Sequence, residues 1–564
     1  MKDVKKLIDV AAGRCPADLV FKHANVVNVF TGEILPGDVA VVDGVIAGVG
    51  EYEGKEQVDC TDQYLCPGFI DAHLHIESTM VTPAELVRLT LPSGTTTMVA
   101  DPHEIVNVCG AEGMQYMLDA TEGLPCNIYV MLPSSVPATP FETSGADFTA
   151  EEMRPFVGKT RVLGLGEVMC FTDVVAGGGH ILQKLQTLDG YIADGHAPGL
   201  AGKDLQAYKA AGIGTEHEAT SFAEALEKAR AGFAILVREG SAAHNLAAIV
   251  NGLVDNDVPT NRFMFCTDDK HLDDIGRDGH ISWNVKLAID LGMKPVEAIR
   301  MGSWNAAQVY GLKDVGAIAP GYKADIVLLS SLKKVKVAAV YKDGIPAEQQ
   351  LKQMPAALPK SEAILHSVMA PAVTAQDLVL KTEGKAHVIE MVPYQLVTNH
   401  LQEELPAKDG YFTPNEAYTK LVVVERHGRN GNIAVAPIKG YGIRGGALAT
   451  TVAHDSHNII AAGDNDEDLA LAINRLSEIN GGYVLVRNGK VEGEVPLAIA
   501  GLMSTEAAEK VQKDTGEIIG KAKQMGIPYY IDPFISLSFM ALPVIPSLRL
   551  TDKGLFDVDV FELV

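Results

Sequence analysis

The sequence predicts an α/β fold: a (β/α)8 TIM barrel, a small β-sandwich built from segments before and after the barrel, and a C-terminal α/β domain. Three observations predict it. Between Pro67 and about Gly311, eight apolar strand-like runs alternate with helical stretches, over the ~250 residues that such a barrel takes. Short β-branched runs broken by turns stand on both sides of that segment. Beyond a Pro-containing stretch from Gln353 to Lys360, residues 361–564 carry a further mixed pattern, large enough to fold separately.

Taken in order, residues 1–66 hold the apolar runs Leu19 to Phe30, Asp38 to Val42 and Val45 to Val49, with Thr31-Gly32 and Asp43-Gly44 between them. Asp-Gly between apolar runs is a hairpin signal. The barrel, residues 67–311, has the runs Phe69 to Leu74, Thr95 to Ala100, Asn127 to Leu132, Arg161 to Val168, Gly190 to His196, Gly212 to His217, Ala234 to Arg238 and Phe263 to Thr267. In segment 312–350, Val315 to Leu329 reads as a turn and a strand that rejoins the N-terminal strands and completes the sandwich. No tandem repeat or low-complexity tract is present.

Composition excludes several classes of function. With 72 acidic against 47 basic residues the formal charge is -25, so no positive field collects phosphates, and nucleic acid polymers are excluded as the main partner. The seven cysteines are scattered and never form Cys-x-x-Cys, which argues against a disulfide framework or structural zinc and fits a reducing cytoplasm. The N-terminus lacks the apolar run of a signal peptide. The uncharged run Pro533 to Leu548 is too short to span a bilayer and contains Pro543 and Pro546. It reads as buried core, with no membrane partner.

Reactive groups in such barrels sit where the strands end. Strand one ends in His73 and His75, whose i, i+2 spacing aims both imidazoles to one side. Strand four ends in Glu167, strand five in His196, strand six in His217 and strand eight in Asp268. Each has a bland reading, such as a helix cap for Asp268 or a core hydrogen bond for His217. Together, four imidazoles and two carboxylates on one rim form a metal-ligand set.

With these residues in hand, the chain resembles the amidohydrolase superfamily, which shares His-x-His on strand one, a bridging group on strand four, His on strands five and six and Asp on strand eight. Many relatives use a carboxylated lysine on strand four, where this chain has Glu167. That departure, with Ala-Asp-Pro-His-Glu (100 to 104), Gly-His-Ala-Pro-Gly (195 to 199), Glu-His-Glu (216 to 218), Arg-Glu-Gly-Ser (238 to 241) and Thr-Asp-Asp-Lys-His (267 to 271), is similar to the bacterial adenine deaminase family. Residues 426 to 463 resemble that family's extra C-terminal domain.

The resemblance implies hydrolysis of adenine to hypoxanthine and ammonia, with two divalent metal ions, manganese or iron ahead of zinc, held by His73, His75, Glu167, His196, His217 and Asp268. A metal lowers the pKa of water from 15.7 to about 7, which suits attack at C6. Asp268 is the candidate to carry the proton to the leaving amine; Glu167 or Glu218 would protonate N1. Candidate purine contacts are Asp101, His103 and Glu104 after strand two, then Arg238, Glu239, Ser241 and Ser282. The C-terminal His427, His454, Asp455 and His457 read as structural, as a lid, or as an added metal site. A homo-oligomer, dimer or tetramer, is expected, with the apolar segment Leu537 to Leu548 as a possible interface. Three other readings lose a needed feature: a dihydropyrimidinase-like enzyme uses the strand-four lysine, an inactive barrel scaffold loses ligands, and a cytidine-deaminase-type zinc site needs Cys-x-x-Cys.

Overall fold

The computed structural model describes residues 3–241, 243–354, 361–393 and 395–564; most of the expected linker, 355–360, lies outside the described residues. Eight parallel strands form the barrel: Phe69–Leu74, Thr95–Ala100, Asn127–Leu132, Val162–Val168, Ile192–Gly195, Thr215–Glu216, Ala234–Arg238 and Phe263–Cys266. The apolar runs within them, such as Ile128 to Leu132 and Ala234 to Val237, follow from burial on both faces. The ring closes between strands one and eight, where Asp268 N–H donates to His73 O at 3.0 Å. Between strands five and six, Gly214 N–H donates to Ala193 O at 2.8 Å. Ile70, Ala72, Val99, Met131, Ala234, Leu236 and Met264 fill the interior, so the barrel is a packed core and not a pore. Strands five and six are shorter than the sequence suggests: they begin at Ile192 and Thr215 and each stops at the residue before its histidine.

The segments flanking the barrel share one eight-stranded sheet. Ile326–Ser331 runs antiparallel to Tyr64–Pro67, pairing Ile326 with Pro67 and Leu329 with Tyr64. The Asp43-Gly44 turn joins Glu33–Val42 to Val45–Gly50 with both residues at positive φ, 48° and 74°, the two-residue hairpin geometry that Asp-Gly favours. The N-terminal helix Val4–Ala11 has no counterpart among the sequence-based elements; Asp3 caps it by accepting Lys6 N–H at 3.1 Å.

The C-terminal region centres on another eight-stranded sheet, in which Tyr418–Val424 and Ile459–Gly463 are central. The helix Asp466–Glu478 packs on one face. The other face meets the helix Ala508–Gln524 and the segment around Phe534 to Leu542, in a core that also takes in Met80, Val81 and Leu272 from barrel loops one and eight. Leu537, Phe539, Met540, Leu542 and Leu548 are all buried within the chain. The buried part of this apolar segment seats the C-terminal region on the barrel. Among the described residues, no helix is long and apolar enough to cross a membrane.

Candidate metal centre

The strand ends bring the six expected residues together at the barrel mouth, all buried except half-buried His196. Glu167 is the hub. Its Oε1 lies 3.3 Å from His75 Nε2 and 3.2 Å from His103 Nδ1, and its Oε2 lies 2.8 Å from His196 Nδ1 and 3.1 Å from His217 Nε2. Asp268 Oδ1 stands 3.1 Å from His75 Nε2 and 4.0 Å from His73 Nε2. The rings of His73 and His217 stack at 4.5 Å. Asp268 adopts φ 57°, left-handed backbone that a non-glycine residue keeps only where the surroundings enforce it.

These residues fit divalent cations. Three sets put ligand-type atoms within 4.8 Å of one another: His73, His217 and Asp268; His73, His75 and Glu167; and Glu167, His196 and His217. Glu167 belongs to two of them. Both ring nitrogens of buried His73 lack a hydrogen-bond partner, an arrangement that is costly unless a cation takes one of them. His75 Nδ1 donates to Asp101 O at 2.9 Å, which leaves Nε2 free to ligate, as metal-binding histidines are commonly held.

Electrostatics agree. Burial alone would raise Glu167 and Asp268, yet His103, His196 and His217 hold Glu167 well below the carboxylate range, and Arg238 with His75 does the same for Asp268. Arg238 is itself buried, donating to Asp268 Oδ2 at 2.7 Å and to both oxygens of Glu218, the Nη2–Oε2 bond at 3.0 Å. That pairing overrides burial and keeps Glu218 below its ordinary range.

Asp101 lies beneath the hub, its Oδ2 accepting Glu167 N–H at 2.8 Å. A side chain at Gly166 would put Cβ 2.2 Å from that oxygen, so only glycine fits there. Glu104 Oε1 accepts Ser78 Oγ–H at 3.1 Å and lies 3.4 Å from His454 Nδ1. Asp455 Oδ1 lies 3.7 Å from His103 Nε2. The loop 453–458 thus reaches into the mouth. His427 holds it there, donating from Nε2 to Ser456 O at 2.8 Å. The other expected contacts have neighbours of their own: Glu239 pairs with His244 at 3.0 Å, Ser241 Oγ accepts His271 N–H at 2.9 Å, and Ser282 stands beside Gly279, which also neighbours Ser93 just before strand two. Ser78 and Asp269 are additions that the sequence did not single out, although Asp269 directly follows Asp268.

Residues 64–346 match the amidohydrolase family, and residues 395–562 match the adenine deaminase C-terminal domain. An adenine deaminase of Desulfitobacterium hafniense is 51% identical over 99% of this chain and 98% of its own length. Adenine deaminase 2 of Carboxydothermus hydrogenoformans is 45% identical over 100% of this chain and 99% of its own. An adenine deaminase of Geobacillus kaustophilus is 44% identical over 99% and 98%.

Proposed function

We propose how this chain, which belongs to the adenine deaminase family of the amidohydrolases and converts adenine and water to hypoxanthine and ammonia, divides that work among its residues. The observation that carries the reading is Glu167, contacted on both oxygens by four imidazoles. His73, His75, Glu167, His196, His217 and Asp268 would hold two divalent ions, manganese or iron ahead of zinc. When bound, the ions supply a Lewis acid that makes water a nucleophile near neutral pH.

Asp268 is held by Arg238 through Oδ2, so Oδ1 alone faces the reacting groups. From Oδ1, a proton taken from the attacking water passes to the amine leaving C6. Glu167 has no oxygen free of an imidazole, which suits bridging better than proton transfer. Arg238 and Glu218 are positioning residues: the guanidinium orients two carboxylates at once, and Glu218 stands 3.4 Å from His217 and 3.6 Å from His196. Asp101 and His103 support Glu167 from below. The net charge of -25 disfavours nucleotide substrates.

The test is ammonia release from adenine, adenosine, guanine and cytosine by protein reconstituted separately with manganese, iron and zinc. Adenine is expected to far outrun adenosine. Comparable kcat/KM for the two would overturn the assignment of the free base as substrate.

A further inference from the structure

The steps above use neither His457 nor the second oxygen of Glu104, yet both are fixed with care. His457 sits at φ 55°, a strained left-handed conformation. It is pinned by fully buried Arg426, which donates from Nε to His457 O, from Nη2 to Ala500 O at 3.0 Å and from Nη1 to Ser367 Oγ at 3.2 Å. His457 Nδ1 accepts Ala453 N–H at 3.2 Å. Burial, His454 and Arg426 hold the ring well below its ordinary range, hence neutral. A neutral imidazole whose Nδ1 accepts carries its proton on Nε2.

That Nε2–H has no partner and faces Glu104 Oε2, also buried and unpartnered, across 4.0 Å. Glu104, His454 and His457 also satisfy the distances of a cation site. Ligation through His457 Nε2 would move the proton to Nδ1, directly against the Ala453 N–H, so the cluster is better suited to hydrogen bonding. A donor beside an acceptor matches a ligand edge that offers an acceptor beside a donor. On a purine free base, N3 and N9–H form such an edge. A neighbouring narrow cavity between the barrel loops and the C-terminal region is lined by Ser78, Asp269, His454, Tyr483 and Phe539, with Phe539 stacked on His454 at 4.8 Å.

We propose that His457 Nε2–H donates to N3 of the purine and Glu104 Oε2 accepts from N9–H, so that a loop of the C-terminal region selects the free base. This rests on the deaminase reading and names how its substrate is recognised. Glu104 Oε2 has no hydrogen-bond partner of its own; the arriving N–H supplies one and favours the charged carboxylate, against the burial beside Glu77 and Asp269 that raises the group well above its ordinary range. A nucleoside has no N9–H and would set a sugar carbon against Glu104.

Calorimetric binding of the unreactive product decides the matter, using hypoxanthine, 3-deazahypoxanthine and 9-methylhypoxanthine with wild type, His457→Ala, His457→Gln and Glu104→Gln, with metal content and circular dichroism on the same samples. For wild type, each analogue should bind ~10- to 100-fold more weakly than hypoxanthine, the worth of one buried hydrogen bond. His457→Ala should erase the penalty for 3-deazahypoxanthine and keep that for 9-methylhypoxanthine; Glu104→Gln should do the reverse, and His457→Gln, which keeps a donor, should restore part of the first. Folded, metal-replete His457→Ala with unchanged discrimination would overturn the proposal. So would wild type binding all three ligands equally, which needs no variant to fold. Wild type that releases no ammonia from adenine would instead sink the deaminase reading, leaving the binding comparison to stand by itself.

Discussion

Two polar clusters meet at the mouth of this barrel, and they are built differently. The set around Glu167 stands on strand ends, with nitrogen–oxygen separations of 2.8–3.3 Å and one carboxylate shared among four imidazoles. The set around Glu104 is half borne by the loop 453–458, with separations of 3.4–4.0 Å and unpartnered atoms on Glu104 and His457. Rigid strands suit ions, whose ligands must be placed within a few tenths of an ångström. A loop held down by one buried arginine suits an organic ligand, which brings its own hydrogen-bonding groups. On this view the barrel supplies the chemistry and the C-terminal region the choice of substrate.

The sharpest way to break that division is His73→Ala. It should lower metal content and activity together, with metal affinity falling by more than the ~10- to 100-fold typical of an outer-sphere change. Elemental analysis beside an ammonia assay checks it, and a fully active metal-free variant would make the strand cluster structural. Asp268→Asn comes next: kcat should fall ~10²- to 10⁴-fold, the worth of a positioned acid–base group, with both metals retained. Should metal be lost as well, Asp268 is chiefly a ligand.

The loop side should respond in KM. Arg426→Lys removes part of the fork that holds His457 and Ala500; KM for adenine should rise about tenfold while kcat changes little, since uniform binding is what is lost. A fall in kcat with unchanged KM would put the loop in the chemistry. The smallest effect belongs to Glu142, buried beside Asp455 and pushed up to about 8 by burial and that neighbour. Between its unfolded value near 4.5 and about 8, the native state keeps a proton that the unfolded chain has released. Stability therefore falls as pH rises through that window, by up to about 1.4 kcal/mol per unit. Glu142→Gln, which imitates the protonated group, should gain stability over wild type from pH 5 to 8 with little change in activity, as paired denaturation curves would show.

The strand-borne cluster was legible because a barrel strand ends in the residue that it presents: His73, Glu167, His196, His217 and Asp268 follow their apolar runs directly. The loop-borne cluster was not. Nothing in Thr-Val-Ala-His-Asp-Ser-His-Asn announces that it meets Glu104, because that contact is made by docking one region on another, through Met80, Val81 and Leu272. Arg238 was read as a ligand contact on its position at the end of strand seven; it pairs with Glu218 and Asp268, which a linear pattern cannot reveal. The helix Val4–Ala11 was missed since it is short and largely exposed, its buried side chain being Val10 alone.

Where relatives carry a lysine at the end of strand four, the bridging carboxylate must be made after folding, by capture of carbon dioxide on an amine. If Glu167 takes that place, as proposed, the group comes ready-made from translation. Metal loading should therefore be indifferent to dissolved gas: apoprotein reconstituted in degassed, bicarbonate-free buffer should recover the same activity at the same rate as in buffer with added bicarbonate. On that reading the assembly of the centre is freed from a metabolite whose supply varies with the cell's surroundings.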